Sequence, residues 1–289
     1  MKSFLFRSCF FVVLLCVYMG VQNTHAYVLS TNSVGTPLRW ATPASPTFYT
    51  NWQNSSTLSY SQIFTAFTNA FQRWKYTGSA AIDFEYYQGT SVNSWGYDGH
   101  NSIFFASQSA QKMGSSTLGV TYVFSSSGTI VETDVEFNDE RFTFTTNATD
   151  SSQFGSGAQV FLENVATHEF GHAYGLGHSA ALQSTMVFLE NRAQAKPSCD
   201  DITGIGAAYP LSSYSSARGT IVGSIDLSGT GVFGAHISAI SKTRGTVVAS
   251  TISQTNGSFT LTKLEPGDYY LLVEPFATVA PISSLCGGS

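Results

Sequence analysis

The sequence predicts an α+β domain, a twisted sheet with helices packed against it and a cleft along one edge, followed by a small all-β sandwich. Three observations predict it. Apolar residues recur at helical spacing around 60–75 and 157–174. Short alternating runs bounded by Gly and Ser separate those stretches, as half-buried strands do. After the serine-rich break Leu211-Ser212-Ser213-Tyr214-Ser215-Ser216, only short strand-like runs remain.

Taken in order, Lys2 and Arg7 precede the apolar run Phe10 to Val21, and Thr24-His25-Ala26 offers a small-residue cleavage site before Tyr27. Residues 1–26 therefore read as a secretory signal peptide, and the mature chain is expected to be secreted. The apolar run falls short of the roughly 18 residues of a membrane span. Cys9 and Cys16 would leave with the leader, keeping Cys199 and Cys286, which can pair in an oxidising compartment if the fold brings them together.

Ser59-Tyr60-Ser61-Gln62 is a capping box ahead of Ile63, Phe64, Phe67, Ala70, Phe71 and Trp74, an apolar stripe meant for a sheet. Ile82, Phe84 and Tyr86 alternate, as do positions within 102–106 and 117–124, predicting strands. Residues 128–138 are expected to supply the edge strand, along which a substrate would lie as one further strand. Residues 157–174 are expected to form the second helix, with Val160, Phe161, Val165 and Phe170 on its buried side.

Beyond the break, strands are expected at 220–225, 235–240, 247–252, 259–261 and 269–273, with a hairpin at Asn256-Gly257 and a turn at Pro266-Gly267. The implied organisation is a leader at 1–26, a first domain at 27–210, a linker at 211–217, a β-sandwich at 218–276 and a tail at 277–289. The net charge of −5 becomes about −7 once Lys2 and Arg7 leave with the leader. Cations are scattered rather than striped, so nothing supports nucleic-acid binding. A monomer acting on other molecules is the expectation.

The chemistry sits in His168-Glu169-Phe170-Gly171-His172-Ala173-Tyr174-Gly175-Leu176-Gly177-His178. Residues four apart share a helix face, so His168 and His172 can turn their rings to one ion. His178 cannot join them from the same helix, so the chain must reverse, and Gly175 supplies the positive φ that a reversal needs. Three histidines leave a fourth tetrahedral position for water, the arrangement of a catalytic zinc. Glu169 borders the site without being needed as a ligand, which suits a general base.

This run resembles the signature of the metzincin zinc endopeptidases, whose other mark is a methionine turn, matched here by Met186 in Ser184-Thr185-Met186-Val187-Phe188. Ser179 after the third histidine is similar to the matrixin branch. Arg39-Trp40, Phe48-Tyr49, Cys199-Asp200-Asp201-Ile202-Thr203-Gly204-Ile205 and Tyr209-Pro210 extend the resemblance over about 37–210. It implies a zinc-dependent endopeptidase acting on protein or peptide substrates, with His168, His172 and His178 as metal ligands and Glu169 as the catalytic base.

The chain departs from many matrixins in three places. His25, His100 and His236 are its other histidines, too few for a second structural zinc, and Glu136 stands where one of its ligands is expected. Asp98, Asp134, Glu136 and Asn138 are instead candidate calcium ligands, against the competing reading of an acidic edge strand that discourages association. Val187-Phe188-Leu189-Glu190 lacks the proline and tyrosine expected after the methionine. The C-terminal segment resembles a carboxypeptidase regulatory-like, transthyretin-like sandwich in Gly257-Ser258-Phe259 and Leu264-Glu265-Pro266-Gly267-Asp268-Tyr269. It is expected to be accessory and separable near Ser212. The alternatives to an endopeptidase are a zinc-holding adhesion or binding protein without turnover and a zinc hydrolase of non-peptide amides.

Overall fold

In the computed structural model, which describes residues 27–42, 44–51, 57–106, 113–149, 159–188 and 194–275, strand β1 (Thr47–Thr50) precedes helix α1 (Tyr60–Lys75). The capping box forms: the Ser59 N–H donates to Gln62 Oε1 at 3.0 Å, engaging a group the first turn cannot satisfy. The helix buries Ile63, Ala66, Phe67, Ala70, Phe71 and Trp74. Phe64 departs from the expected stripe. It is 40% exposed and stacks on Tyr60 and Tyr86, while Ala66 turns inward.

Strands β2 (Glu85–Gln88), β3 (Asn101–Phe105), β4 (Gly119–Ser126) and β5 (Thr129–Phe137) join β1 in a sheet of order β2-β1-β3-β5-β4. All neighbours are parallel except β4, which runs antiparallel to β5. The antiparallel edge is therefore β4, which corrects the expectation that 128–138 forms it. β5 lies inside the sheet, and Glu132, Asp134, Glu136 and Asn138 are buried rather than displayed as an acidic edge. For Asp134 and Glu132 backbone donors offset the burial: Asp134 accepts the N–H groups of Gly96 (3.0 Å) and of Ser102 on β3 (2.9 Å), and Glu132 that of Asp98 (2.9 Å).

Strand β6 (Thr143–Thr145) pairs with β7 (Gln159–Phe161), and helix α2 (Leu162–Ala173) follows without a break. The helix expected from 157 thus begins five residues later, because the backbone of 159–161 is committed to the β6 ladder. α2 lies on α1 through the Phe71 and Phe170 rings, stacked with centroids 3.8 Å apart, and Trp74 Nε1 donates to the Thr167 carbonyl at 2.8 Å. Helix α3 (Cys199–Ala208) and the single turn α4 (Ser212–Ser215) come next. The serine-rich stretch expected as a linker is tied down at both ends. Leu211 N–H donates to Ser79 O at 3.1 Å, and Lys263 Nζ to Ser215 Oγ at 3.0 Å.

From Gly219 every named element is a strand: β8 (Gly219–Ser224), β9 (Asp226–Leu227), β10 (Thr230–Gly231), β11 (Ala235–Ser241), β12 (Val247–Ile252), β13 (Ser258–Leu264) and β14 (Tyr269–Pro275). They pair as β12-β11-β14, β13-β8 and β10-β9. Gly257 makes a tight turn at φ +79°, yet the strands it joins belong to different sheets, so the expected hairpin is a crossing between sheets. A hydrophobic core holds Tyr27 together with Ile237, Ala239, Ala249, Phe259 and Leu261, and Cys199 and Ala207 of α3 pack against it. A cut near Ser212 would divide residues that share this core.

Candidate metal centre

Helix α2 stops where its sequence cannot continue it. Gly175 has φ +86°, and any side chain there would strike the Leu38 carbonyl. The last carbonyls of the helix find partners elsewhere: Trp40 Nε1 donates to Ala173 O and Tyr209 Oη to Tyr174 O, each at 2.8 Å. The stretch after Tyr27 then pairs with the reversal, Ser30 N–H to Gly175 O at 2.9 Å and Gly177 N–H to Val28 O at 2.7 Å. A Cβ on Gly177 would lie 2.8 Å from the Val28 side chain. These contacts return the chain so that His178 faces α2.

His168 and His172, one turn apart, meet His178 there. His172 Nε2 lies 3.1 Å from His168 Nε2 and 3.2 Å from His178 Nε2, while a tetrahedral zinc with bonds of about 2.0–2.1 Å spaces its ligands about 3.3 Å apart. The opposite nitrogens are occupied. His168 Nδ1 lies 2.8 Å from the Thr185 carbonyl and His172 Nδ1 2.7 Å from that of Leu176, contacts that only an Nδ1–H can make. The Nε2 atoms of both rings therefore carry lone pairs, and lone pairs facing one another suit a cation between them. Burial, reinforced by His178, pushes His168 down to about 3 and His172 below its ordinary value, so both rings stay neutral and ready to ligate. Among the described residues, this is the cluster of His, Cys, Asp or Glu arranged to hold a metal.

Met186 is buried beside α2, its N–H facing Ser184 Oγ at 2.9 Å and Asp201 Oδ1 at 3.1 Å. Its sulfur fills the room that Gly171 leaves: a Cβ there would overlap Met186 Sδ and come within 2.8 Å of the Trp74 ring. Glu169 is 5% exposed. Thr121 Oγ1 of β4 lies 2.8 Å from its Oε2 and 2.9 Å from its carbonyl oxygen. A Cβ on Gly119 would stand 2.9 Å from Oε1. Burial pushes the carboxyl up to about 7, against the Thr121 hydroxyl, which favours ionisation. Neither Gly119 nor Thr121 was singled out from sequence, and the sole signal was a glycine inside a strand pattern, which marks a close approach.

A family model described as Matrixin matches residues 39–210, more than half of the 289-residue chain. The chain belongs to the matrixin family. No curated protein matches it. Matrixin membership implies zinc and metalloprotease activity, and the three converging nitrogens fit that metal. The matrixin match ends at Pro210, so it says nothing of β8 to β14.

Around the matrixin centre, the Phe188 ring meets that of His178 edge-on at 5.2 Å and is 44% exposed. Leu189, its expected apolar companion, lies outside the described residues, as do the leader and Cys286. Cys199 forms no disulfide among the described residues. Of the candidate calcium ligands, Asp98 accepts the His100 N–H at 2.9 Å, Glu136 Oε2 the Tyr122 hydroxyl at 3.1 Å, and Asn138 Nδ2 donates to Thr117 O at 2.8 Å, while Glu136 Oε1 and Asn138 Oδ1 are buried without a hydrogen-bond donor among the described residues. Among the described residues, Asp98, Asp134 and Glu136 form no cluster of three like that of the histidines. His236 sits on β11 with Glu274 at 3.8 Å, apart from the cluster. No helix among the described residues is long and apolar enough to cross a membrane.

Proposed function

We propose that this matrixin is a secreted zinc endopeptidase that hydrolyses peptide bonds with Glu169 as general base and with His168, His172 and His178 holding one zinc. The observation that carries the reading is the convergence of three Nε2 atoms, two of them held as lone-pair acceptors by backbone carbonyls. A bound zinc supplies Lewis acidity, polarising a carbonyl and lowering the pKa of water toward about 7. Thr121 occupies Oε2 of Glu169, so Oε1, in the space kept open by Gly119, is the atom that takes the proton from the attacking water. The same carboxyl then delivers it to the leaving amine.

Substrate is proposed to extend along β4, pairing with its outer backbone groups as one more strand. The support is that β4 is the sheet's edge among the described residues and carries both residues that seat Glu169. Phe188 gives the cleft an apolar wall beside His178. Secretion rests on the leader-like residues 1–26. The assignment of 27–210 to catalysis and 218–276 to a transthyretin-like sandwich rests on the family match and on the run of strands from Gly219.

Glu169→Gln is expected to keep one zinc per chain and to lose at least roughly 10²-fold in peptide turnover, the size of a general-base contribution. His172→Ala is expected to lose the metal too. Metal content and hydrolysis of a peptide library, measured on both purified variants, separate the roles, and undiminished hydrolysis by Glu169→Gln sinks the mechanism. A zinc-holding binding protein is the second reading. The room reserved at Gly119 for a carboxyl that no ligand set needs argues against it, and wild-type protein that binds zinc but cleaves no library peptide would establish it.

A further inference from the structure

We infer that the C-terminal strands are a working part of the metal centre: Ser250 of β12 positions Asp200, and Asp200 positions Ser179, the residue that follows His178. This rests on reading the three histidines as metal ligands. Asp200, in the first turn of α3, is 2% exposed. Its two oxygens face opposite ways. Oδ2 accepts the Ser179 hydroxyl at 2.6 Å, while Oδ1 accepts the Ser250 N–H at 2.7 Å, with Ser250 Oγ at 3.3 Å.

Each link is constrained from its other side. Ser179 N–H donates to Met186 O at 2.7 Å, and Ser179 Oγ accepts from Ala181 N–H at 3.0 Å, so the hydroxyl proton is left to point at Asp200. Ser250 lies on β12, which pairs with β11 alone among the described residues. Its N–H turns outward from that edge and meets the carboxylate. A buried carboxylate deprived of such a donor must shift or admit water, since an unmatched buried acceptor is costly, the more so when charged.

The three ligands differ in what holds them. His168 and His172 ride on α2, whose backbone bonds fix both. His178 stands beyond the reversal, and its chain neighbour is fixed through Asp200 by a strand 50 residues further along from that aspartate. The strands after Gly219 thus act on the ligand that the helix does not hold. Metal binding and the packing of β12 on α3 are then two ends of one linkage, and each must strengthen the other.

The test uses the full chain loaded with cobalt(II), whose visible absorption reports ligand geometry. Ser250→Pro deletes the donor at an edge position where proline leaves the ladder intact, Ser179→Ala deletes the hydroxyl, and Ser179→Thr retains it. Ser250→Pro and Ser179→Ala are expected to shift the cobalt absorption and to release metal to a chelator about tenfold or more faster, the usual cost of losing an outer partner. Ser179→Thr is expected to stay close to wild type. Amide exchange needs no variant: metal is expected to slow exchange of the Ser250 N–H by about tenfold or more. The inference is overturned if Ser179→Ala keeps the wild-type spectrum and release rate while only its melting temperature falls, or if the Ser250 amide exchanges alike with and without metal. Failure of the wild-type chain to bind cobalt at all would instead remove the metal-site reading beneath it.

Discussion

Glu169 owes its place to two residues that have no charge. Thr121 holds one carboxyl oxygen at 2.8 Å, and Gly119 keeps free the volume in which the other stands. The carboxyl is otherwise enclosed, which raises its proton affinity to about 7, a value suited to the general-base role proposed for it. Position matters as much as affinity, because a displacement of about 1 Å at a reacting group costs roughly 10²-fold in rate. Gly119→Ala puts a methyl 2.9 Å from Oε1, and the carboxyl end is the softest thing that can give way. The variant is expected to fold and to keep its zinc while kcat falls by roughly 10-fold to 10²-fold with KM little changed. Steady-state kinetics beside metal analysis decide it, and a kcat equal to wild type would show that the carboxyl has slack in this direction.

At the scale of elements, α2 does two jobs with opposite faces. One side carries the histidines. The other is pressed against α1, where Phe170 stacks on Phe71 at 3.8 Å and meets Phe67 at 5.6 Å. The helix has no side-chain cap at Phe161 and follows a strand directly, so packing rather than capping anchors it. Phe71→Ala empties a fully buried site and is expected to cost about 3–5 kcal/mol, read as a lowered urea midpoint with an unchanged slope. A cost under about 1 kcal/mol would mean that α1 is not what seats the metal helix. The edge strand β4 belongs to the same scale. It completes the sheet beside β5 and touches α2 through Thr121, so the surface proposed for substrate and the contacts that seat Glu169 of α2 lie on one strand.

Across the whole molecule, the first turn of α3 is the meeting point. Asp201 accepts the N–H groups of Thr185 and Ser198, each at 2.7 Å, and holds the methionine turn, while Asp200 joins Ser179 to β12. Burial, with the neighbouring Asp201 charge adding to it, pushes Asp200 from an ordinary 3.8 up to about 7. A folded-state pKa raised in this way favours the fold while the group is protonated. That contribution is complete below about pH 4 and is lost as the pH rises through 7. Asparagine does not ionise. The stability of wild type relative to Asp200→Asn is therefore expected to fall by about 3 kcal/mol between pH 5 and pH 8, whatever their offset at pH 5. Urea unfolding of both proteins at the two pH values reads this, and a difference independent of pH would place the Asp200 ionisation outside the folding balance.

The sequence by itself determined that His168, His172 and His178 converge, because the features that bring them together are local. Histidines four apart share a helix face, Gly175 permits the reversal, and Met186 follows closely enough to pack at Gly171. The capping box at Ser59 and the strands after Gly219 were legible for the same reason: spacing and turn residues act over a few positions. Tertiary structure alone decided which strand forms the edge, since residues 119–126 and 129–137 have similar local patterns and only the completed order β3-β5-β4 separates them. It also decided the partners of Glu169 and Asp200, which lie 48 and 50 residues away in Thr121 and Ser250. A threonine or a serine in a strand carries no local mark of what its hydroxyl or N–H will meet. That is settled when separate segments bury their surfaces together and each enclosed carboxyl must find its donors.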